Sequence, residues 1–290
     1  MLQMMPRSPL NLRIAWDSGV IQSINDMKIQ KSVSERLLPF PRFQPKHIEP
    51  KQCTPYSKSI LRSYRQIENS LFSRNNSINT KLTSQALNDR FLITEWMVEF
   101  CISYKINHNV TSVAIKLFDY INSIEVIPRD KAKLHAGMCI FIANKLEGED
   151  FDEICSFLVE DLENIVLDDI VQTELHILHL IRFNARFITP QMYIEQMIDI
   201  QENSQLYQAV IVPILYCLMT TKNWIEYRSE ELAIAVIEIV KYILEIPNFI
   251  TNLECFTAVF LSIRSCLSNE CSFISQKFDN LAEYFKNCEL

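Results

Sequence analysis

The stretch NDRFLITEWMVEFCISYK, residues 88–105, decides the fold. Leu92, Trp96 and Phe100 stand in one row at i, i+4 spacing, and Ile93, Met97, Cys101 and Tyr104 flank it. That period belongs to a helix with an apolar face; a strand would alternate every second residue. Arg90 opens this helix as a charged residue beside an apolar face.

The same period continues outward in both directions. YSKSILRSYRQIENSLF (56–72) predicts a helix upstream, and NVTSVAIKLFDYINSI (109–124) predicts one downstream. Pro128 suits a first helical turn and starts PRDKAKLHAGMCIFIANK (128–145). A shorter helix is expected at about 150–160, followed by LDDIVQTELHILHLIRF (167–183). A second series begins at TPQMYIEQM (189–197), with Thr189 as N-cap and Pro190 at the first position. SQLYQAVIVPILYCLM (204–219), SEELAIAVIEIVKYIL (229–244) and TNLECFTAVFLSIRSCL (251–267) follow, the last with an expected capping box of Thr251 and Glu254. A final helix is expected over about 269–286.

Period-2 alternation and two-residue turn signals are missing. Only 3 glycines occur in 290 residues. Glycine supplies the positive-φ turns of hairpins and of phosphate-cradling loops, so its scarcity favours helices and disfavours a nucleotide loop. The chain is therefore read as all-α, with about five helices and then about five more. Prolines cluster in residues 1–50, as in LPFPRFQP (38–45), and predict an extended or disordered leader.

Charge is unevenly spread. Residues 1–81 hold 13 Lys and Arg against 5 Asp and Glu, whereas residues 82–290 hold 15 against 30. An acidic body disfavours nucleic-acid binding through that body. The 9 cysteines are scattered without a C-x-x-C pair, which reads as reduced thiols in an intracellular setting, nuclear or cytoplasmic. The N-terminus lacks an uninterrupted apolar core, so no secretory signal is expected. The longest apolar run, AVIVPILYCLM (209–219), contains Pro213 and falls short of the ~20 residues a membrane span needs.

Two charged residues interrupt apolar rows. Leu134, Met138, Phe141 and Lys145 lie at i, i+4, i+7, i+11, and Ile170, Glu174, Ile177 and Ile181 repeat the spacing. A charge on a covered face needs a partner. Lys145 and Glu174 either pair or jointly satisfy something docked over both helix ends. The alternative is that Lys145 favours the negative end of its helix dipole, or that its long stem snorkels to solvent. Arg90 and Asp119 raise the same question, since an Arg–carboxylate pair can lock two helices together. His176 and His179 lie at i, i+3, but no third ligand cluster accompanies them, so no metal site is predicted. No glycine-framed nucleophile motif surrounds any Ser or Cys, and no cofactor is expected.

Residues 56–187 resemble the conserved core of the cyclins, regulatory subunits of cyclin-dependent kinases, and look most like the A and B mitotic types. DRFLITEWMVEF resembles the opening helix of the cyclin box, through Arg90, Trp96, Val98 and Glu99. VAIKLFDYI resembles the second-helix phrase and places Asp119. RDKAKLHAGMCIFIANKLEGED resembles the third, placing Lys145 and Glu147, and VQTELHILHLIRFNARFITP resembles the fifth, placing Glu174 and Phe183. NWIEYRSEELAIAV resembles a phrase of a second, weaker box, with Ser229 where proline is usual.

The resemblance implies a flexible leader over 1–54, an N-terminal helix plus first cyclin box over 55–187, and a second, divergent box over 188–290. It implies no catalysis by the chain itself, but binding and activation of a cyclin-dependent kinase in a heterodimer. Lys145 and Glu174 would form the polar anchor on the kinase, with Ile142, Leu146, Leu178, Phe183 and Ile60 as apolar neighbours. Arg90 and Asp119 would be a structural ion pair. Leu92, Ile93, Trp96 and Glu99 keep the pattern of a docking patch for substrate or inhibitor peptides, but Asp89 replaces its usual methionine, and Ala132 and Lys133 depart from it too. The string RSPL, Arg7–Leu10, matches an R-x-x-L degradation signal without the downstream Asn of a full one. The alternative is a cyclin-fold scaffold or transcription-related adaptor that activates no kinase.

Overall fold

The computed structural model describes residues 48, 51, 55–75, 84–147, 152–162, 166–246, 250–269 and 272–287. Residues Pro45–Leu290 form one compact unit; Met1–Gln44, and with them the Arg7–Leu10 string, lie outside the described residues. No described residue lies in a β-strand. No described helix is long and apolar enough to cross a membrane.

Behind an N-terminal helix, α1 (Pro55–Asn75), stand two tandem helical repeats: the first has five helices, and the five expected of the second appear as seven. The first repeat comprises α2 (Ser84–Ser103), α3 (His108–Ile124), α4 (Arg129–Glu147), α5 (Asp152–Asp161) and α6 (Leu167–Leu180). Its centre is α4, packed on α3, α6, α2 and α5. From Ala136 to Asn144 every residue of α4 is buried, as expected of a helix surrounded by others. Gly137 makes room for α5, because a Cβ there would meet Leu158 Cδ2 at 2.8 Å.

The second repeat opens with α7 (Pro190–Met197), with Pro190 in the first turn; Thr189 holds the N-cap position but its side chain makes no capping bond. Its central helix α8 runs as Ser204–Leu206, a π-helical turn Tyr207–Ile211, and Val212–Thr220. The apolar period predicts a single regular helix here. Pro213 lacks an N–H and its ring clashes with the carbonyl four residues back; the wider π turn immediately before it accommodates both defects. The short α9 (Asn223–Glu226) leads into α10 (Ser229–Ile243) and α11 (Leu253–Ser268). The expected C-terminal helix is instead two, α12 (Phe273–Lys277) and α13 (Asp279–Asn287), broken at Phe278 with φ −118° and ψ 50°. The cap of α11 also differs from expectation: Asn252 Oδ1, not Thr251, accepts from the backbone, at Cys255 N, 3.1 Å away.

With so little glycine, helices end on other residues. Lys105, Arg182, Phe183 and Glu245 adopt the left-handed conformation, with φ between 53° and 58°. Each costs roughly 1–2 kcal/mol relative to the right-handed region.

The N-terminal helix fastens chiefly to the second repeat. Glu68 is buried on α1, accepting from Ser229 N at 2.6 Å and from the Tyr193 hydroxyl at 3.4 Å. Arg65 Nε donates to Glu230 at 2.7 Å, and Ser229 Oγ donates to Ile188 O at 2.9 Å. Order in this unit begins ahead of residue 55: Ile48 is buried, and Lys51 N donates to Met197 O at 3.1 Å.

Candidate functional site

Helices α4 and α6 lie against each other, and each brings one charged residue out of its apolar row. The rest of both rows is covered: Met138, Phe141, Ile170, Ile177 and Ile181 are buried and Leu134 is half-buried. Lys145 Nζ and Glu174 Oε1 form an ion pair. Their side chains are 32% and 19% exposed, so the pair sits at the surface without being fully solvated. The Lys145 ammonium also lies 4.1 Å from the centroid of the Phe141 ring, one turn back on α4.

Both helices also expose apolar side chains. Leu146 is exposed at the end of α4, while Val171 and Leu175 are exposed on α6 with Leu178 half-buried beside them. Val171, Leu175 and Leu178 form an i, i+4, i+7 row that a sequence reading centred on Glu174 passes over. Phe183 is 64% exposed. It is displayed from the left-handed turn that ends α6, where its N–H returns to Leu178 O at 2.8 Å, and His179 packs edge-on against its ring. Ile142, expected on this surface, lies beneath it: it is 3% exposed and belongs to the core. Its place one turn before Leu146 falls on the side of α4 that faces other helices.

Ile60, expected on this surface, is half-buried on the N-terminal helix α1. One turn on, burial and the carboxylates of Glu195 and Glu147 push the Tyr64 hydroxyl above its usual range. Burial, and then Glu195, likewise raise the Glu147 carboxyl. These couplings set α1 and α7 near the C-terminal end of α4.

Arg90 and Asp119 form a second pair of different character. Arg90 Nε and Nη2 donate to Asp119 Oδ1 and Oδ2 at 2.7 and 2.8 Å, a two-pronged contact between α2 and α3. The remaining guanidinium hydrogens cap the carbonyl end of α8: Nη2 donates to Met219 O at 2.9 Å, and Nη1 to Thr220 O and Thr221 O at 3.2 and 3.1 Å. The two side chains are only 3% and 12% exposed. Nearby, Lys116 Nζ donates to Trp224 O at 2.9 Å and lies 4.7 Å from the Trp224 ring centroid. Burial lowers its amine to about 8. The two repeats thus meet at a polar seam that the sequence did not announce.

The patch on α2 holds Leu92 exposed, Ile93 and Trp96 half-buried and Glu99 exposed. Lys133 Nζ stands 5.4 Å from the Trp96 ring centroid, and Arg129 grips Asp89 through two bonds of 2.9 Å. Ala132 is buried, so the changed positions put an ion pair and a lysine beside Leu92 and Trp96. His176 Nε2 lies 3.2 Å from Glu125, and His179 Nδ1 bonds Leu175 O at 2.8 Å. Among the described residues no group of three His, Cys, Asp or Glu could hold a metal ion.

Residues 59–186 match the family described as "Cyclin, N-terminal domain". G1/S-specific cyclin-D1 of Homo sapiens is 23% identical over 124 residues, 40% of this chain and 41% of that protein. G2/mitotic-specific cyclin-B3 of Gallus gallus is 28% identical over 112 residues, 37% of this chain and 27% of that protein. The aligned part of the chain thus spans about two fifths of the length of the cyclin-D1 relatives. A viral cyclin from herpesvirus saimiri superimposes with a TM-score of 0.54 at 12% identity, covering 79% of this chain and 97% of that one. A chain of the yeast RNA Pol II CTD kinase CTDK-1 complex superimposes with a TM-score of 0.50 at 15% identity, covering 71% and 77%.

Proposed function

Residues 59–186 make this chain a cyclin-box protein, and on that premise we propose that it is a regulatory subunit that binds and activates a cyclin-dependent Ser/Thr kinase. The carrying observation is the Lys145–Glu174 pair, half-shielded at the centre of an exposed apolar field on α4 and α6. Leu146, Leu178 and Phe183 rim it, with Ile60 on α1; Ile142 supports the rim from below. Arg90 and Asp119 hold the box together and are not contact residues in this reading.

Kinase activity requires a lysine–glutamate ion pair whose glutamate sits on a mobile helix. A partner that binds only the helix-in conformation shifts the population toward it. Moving a 1:99 equilibrium to 99:1 takes about 5.5 kcal/mol of differential affinity. An apolar field supplies area, and the charged pair at its centre satisfies main-chain groups that the apolar rim would otherwise leave unpaired. The chain itself carries out no chemistry in this reading, and its setting is the nucleus or cytoplasm of a dividing cell. Relatives named for both G1/S and mitosis leave the phase open. The α2 patch is read as a peptide-docking surface altered by the Asp89–Arg129 pair and Lys133.

The test is affinity purification of the full chain with mass spectrometry, followed by a kinase assay on the eluate. Recovery of a kinase whose activity depends on the chain is the expected result. A chain that recovers no kinase, or recovers one whose activity it leaves unchanged, is a scaffold or adaptor on the same fold.

A further inference from the structure

Phe141 is a core residue by burial, yet one face of its ring meets a charge. Phe141 is 5% exposed, and the Lys145 ammonium stands 4.1 Å from the centroid of its ring. A cation within ~6 Å of an aromatic centroid is attracted by the negative face of the ring. The two residues are i and i+4 on α4, so the helix itself stacks the lysine stem over the ring. Glu174 then meets the same ammonium from α6. The lysine head thus meets a neutral, buried ring on its own helix and a carboxylate near the surface on the next.

From this geometry we propose that Phe141 is a positioning residue for the Lys145–Glu174 anchor, holding the ammonium in its binding pose before any partner arrives. The proposal rests on the reading of that anchor as the kinase-binding centre. A lysine side chain carries large rotamer freedom, and freezing a flexible side chain at an interface weakens association. A lysine already held over a ring loses less on binding. An aliphatic side chain at position 141 would keep the site apolar but would take the ring away from the ammonium.

The experiment uses the full chain and the conservative set Phe141→Leu, Phe141→Met and Phe141→Tyr, each checked for an unchanged helical spectrum. In the free protein, the ε-methylene protons of Lys145 are expected upfield by the ring current of Phe141 in the natural chain and in Phe141→Tyr. They should return to ordinary values in the Leu and Met variants. With the kinase recovered by the purification above, Phe141→Leu should bind about 3–10-fold more weakly, and Phe141→Tyr should restore most of that loss. The decisive comparison repeats Phe141→Leu in a Lys145→Met background, where the ring has no cation to hold and the loss should vanish. An equal loss in both backgrounds, or ε-methylene resonances indifferent to the ring, overturns the proposal and leaves Phe141 as core filling. If Lys145→Met alone leaves kinase binding intact, the anchor reading fails instead, and the resonances still decide whether the ring holds the lysine.

Discussion

Two ion pairs bind helices of the same box, and each joins residues 29 apart in sequence. Arg90–Asp119 is sealed in, and the arginine's other hydrogens go to three carbonyls at the end of α8. Lys145–Glu174 sits at the surface, with a phenylalanine ring against its ammonium. The arginine pair is complete within the chain and joins the two repeats. The lysine pair faces outward. A charged pair on an apolar helical row therefore has two fates, and what separates them is whether the chain itself covers the pair.

The harshest way to break this contrast is Arg90→Ala. It strands a carboxylate that is only 12% exposed and uncaps α8 in one step, with an expected loss of about 3–5 kcal/mol of folding stability. Against the roughly 5–15 kcal/mol typical of a folded domain, that should appear as a large drop in the urea midpoint and in soluble yield. An Arg90→Ala variant that unfolds like the natural chain would mean that the buried pair is no keystone.

Lys145→Ala and Glu174→Ala should invert the pattern. Each is expected to weaken kinase binding by about 2–5 kcal/mol, partly by leaving the other charge unpaired under the partner. Titration of the recovered kinase against both variants measures this. Near-natural affinity in both would remove the anchor from the mechanism.

Much of this contrast is legible in the sequence. The interrupted rows single out Lys145 and Glu174, and the resemblance pairs the helix-opening Arg90 with Asp119. Periodicity reports which face a residue occupies, so it locates these charges. It does not report what lies across that face. Thus the reach of Arg90 to residues 219–221, the burial of Glu68 under Ser229 and the contact of Lys116 with Trp224 are invisible to it, since each depends on how the second repeat meets the helices before it. Ile142 illustrates the same limit in reverse. It lies one turn before the exposed Leu146 on a helix buried almost all round, so a single turn separates rim from core. Local chemistry overrides the pattern at Pro213, where the missing N–H imposes a π turn, and at Asn252, which takes the capping role from Thr251.

Lys116 sharpens the contrast from the buried side. Burial lowers its amine from 10.5 to about 8. In that window the unfolded chain keeps the proton and the folded chain sheds it, so this residue's contribution to stability rises with pH. Below about pH 8 the folded chain bears the full cost of a buried cation; above 10.5 neither state is charged and the cost is gone. Buried thiols such as Cys101, pushed up to about 12, act in the opposite direction as pH rises. The measurement is therefore the difference between the natural chain and Lys116→Met by urea unfolding. The natural chain should gain up to about 3 kcal/mol on the variant between about pH 8 and 10.5. A flat difference would mean that Lys116 stays charged in the seam, held by the Trp224 carbonyl and ring.

The smallest effect discriminates best. In the free chain the Lys145–Glu174 pair should be worth only about 0.2–1 kcal/mol to folding, the range for ion pairs that water still reaches. A double-mutant cycle with Lys145→Met and Glu174→Gln isolates that coupling. It should shrink as salt rises from about 0.01 to about 1 M, because the screening length falls from about 30 to about 3 Å. The same cycle on Arg90 and Asp119 should return a larger coupling that salt barely moves, since screening ions cannot enter the seam. Two cycles with equal coupling and equal salt response would erase the distinction between a pair kept for the fold and a pair kept for a partner. A weak, salt-sensitive coupling at Lys145, beside a large loss of kinase affinity on removing the same side chain, could not arise from a structural role. The energy missing from the free chain would then reside in the complex.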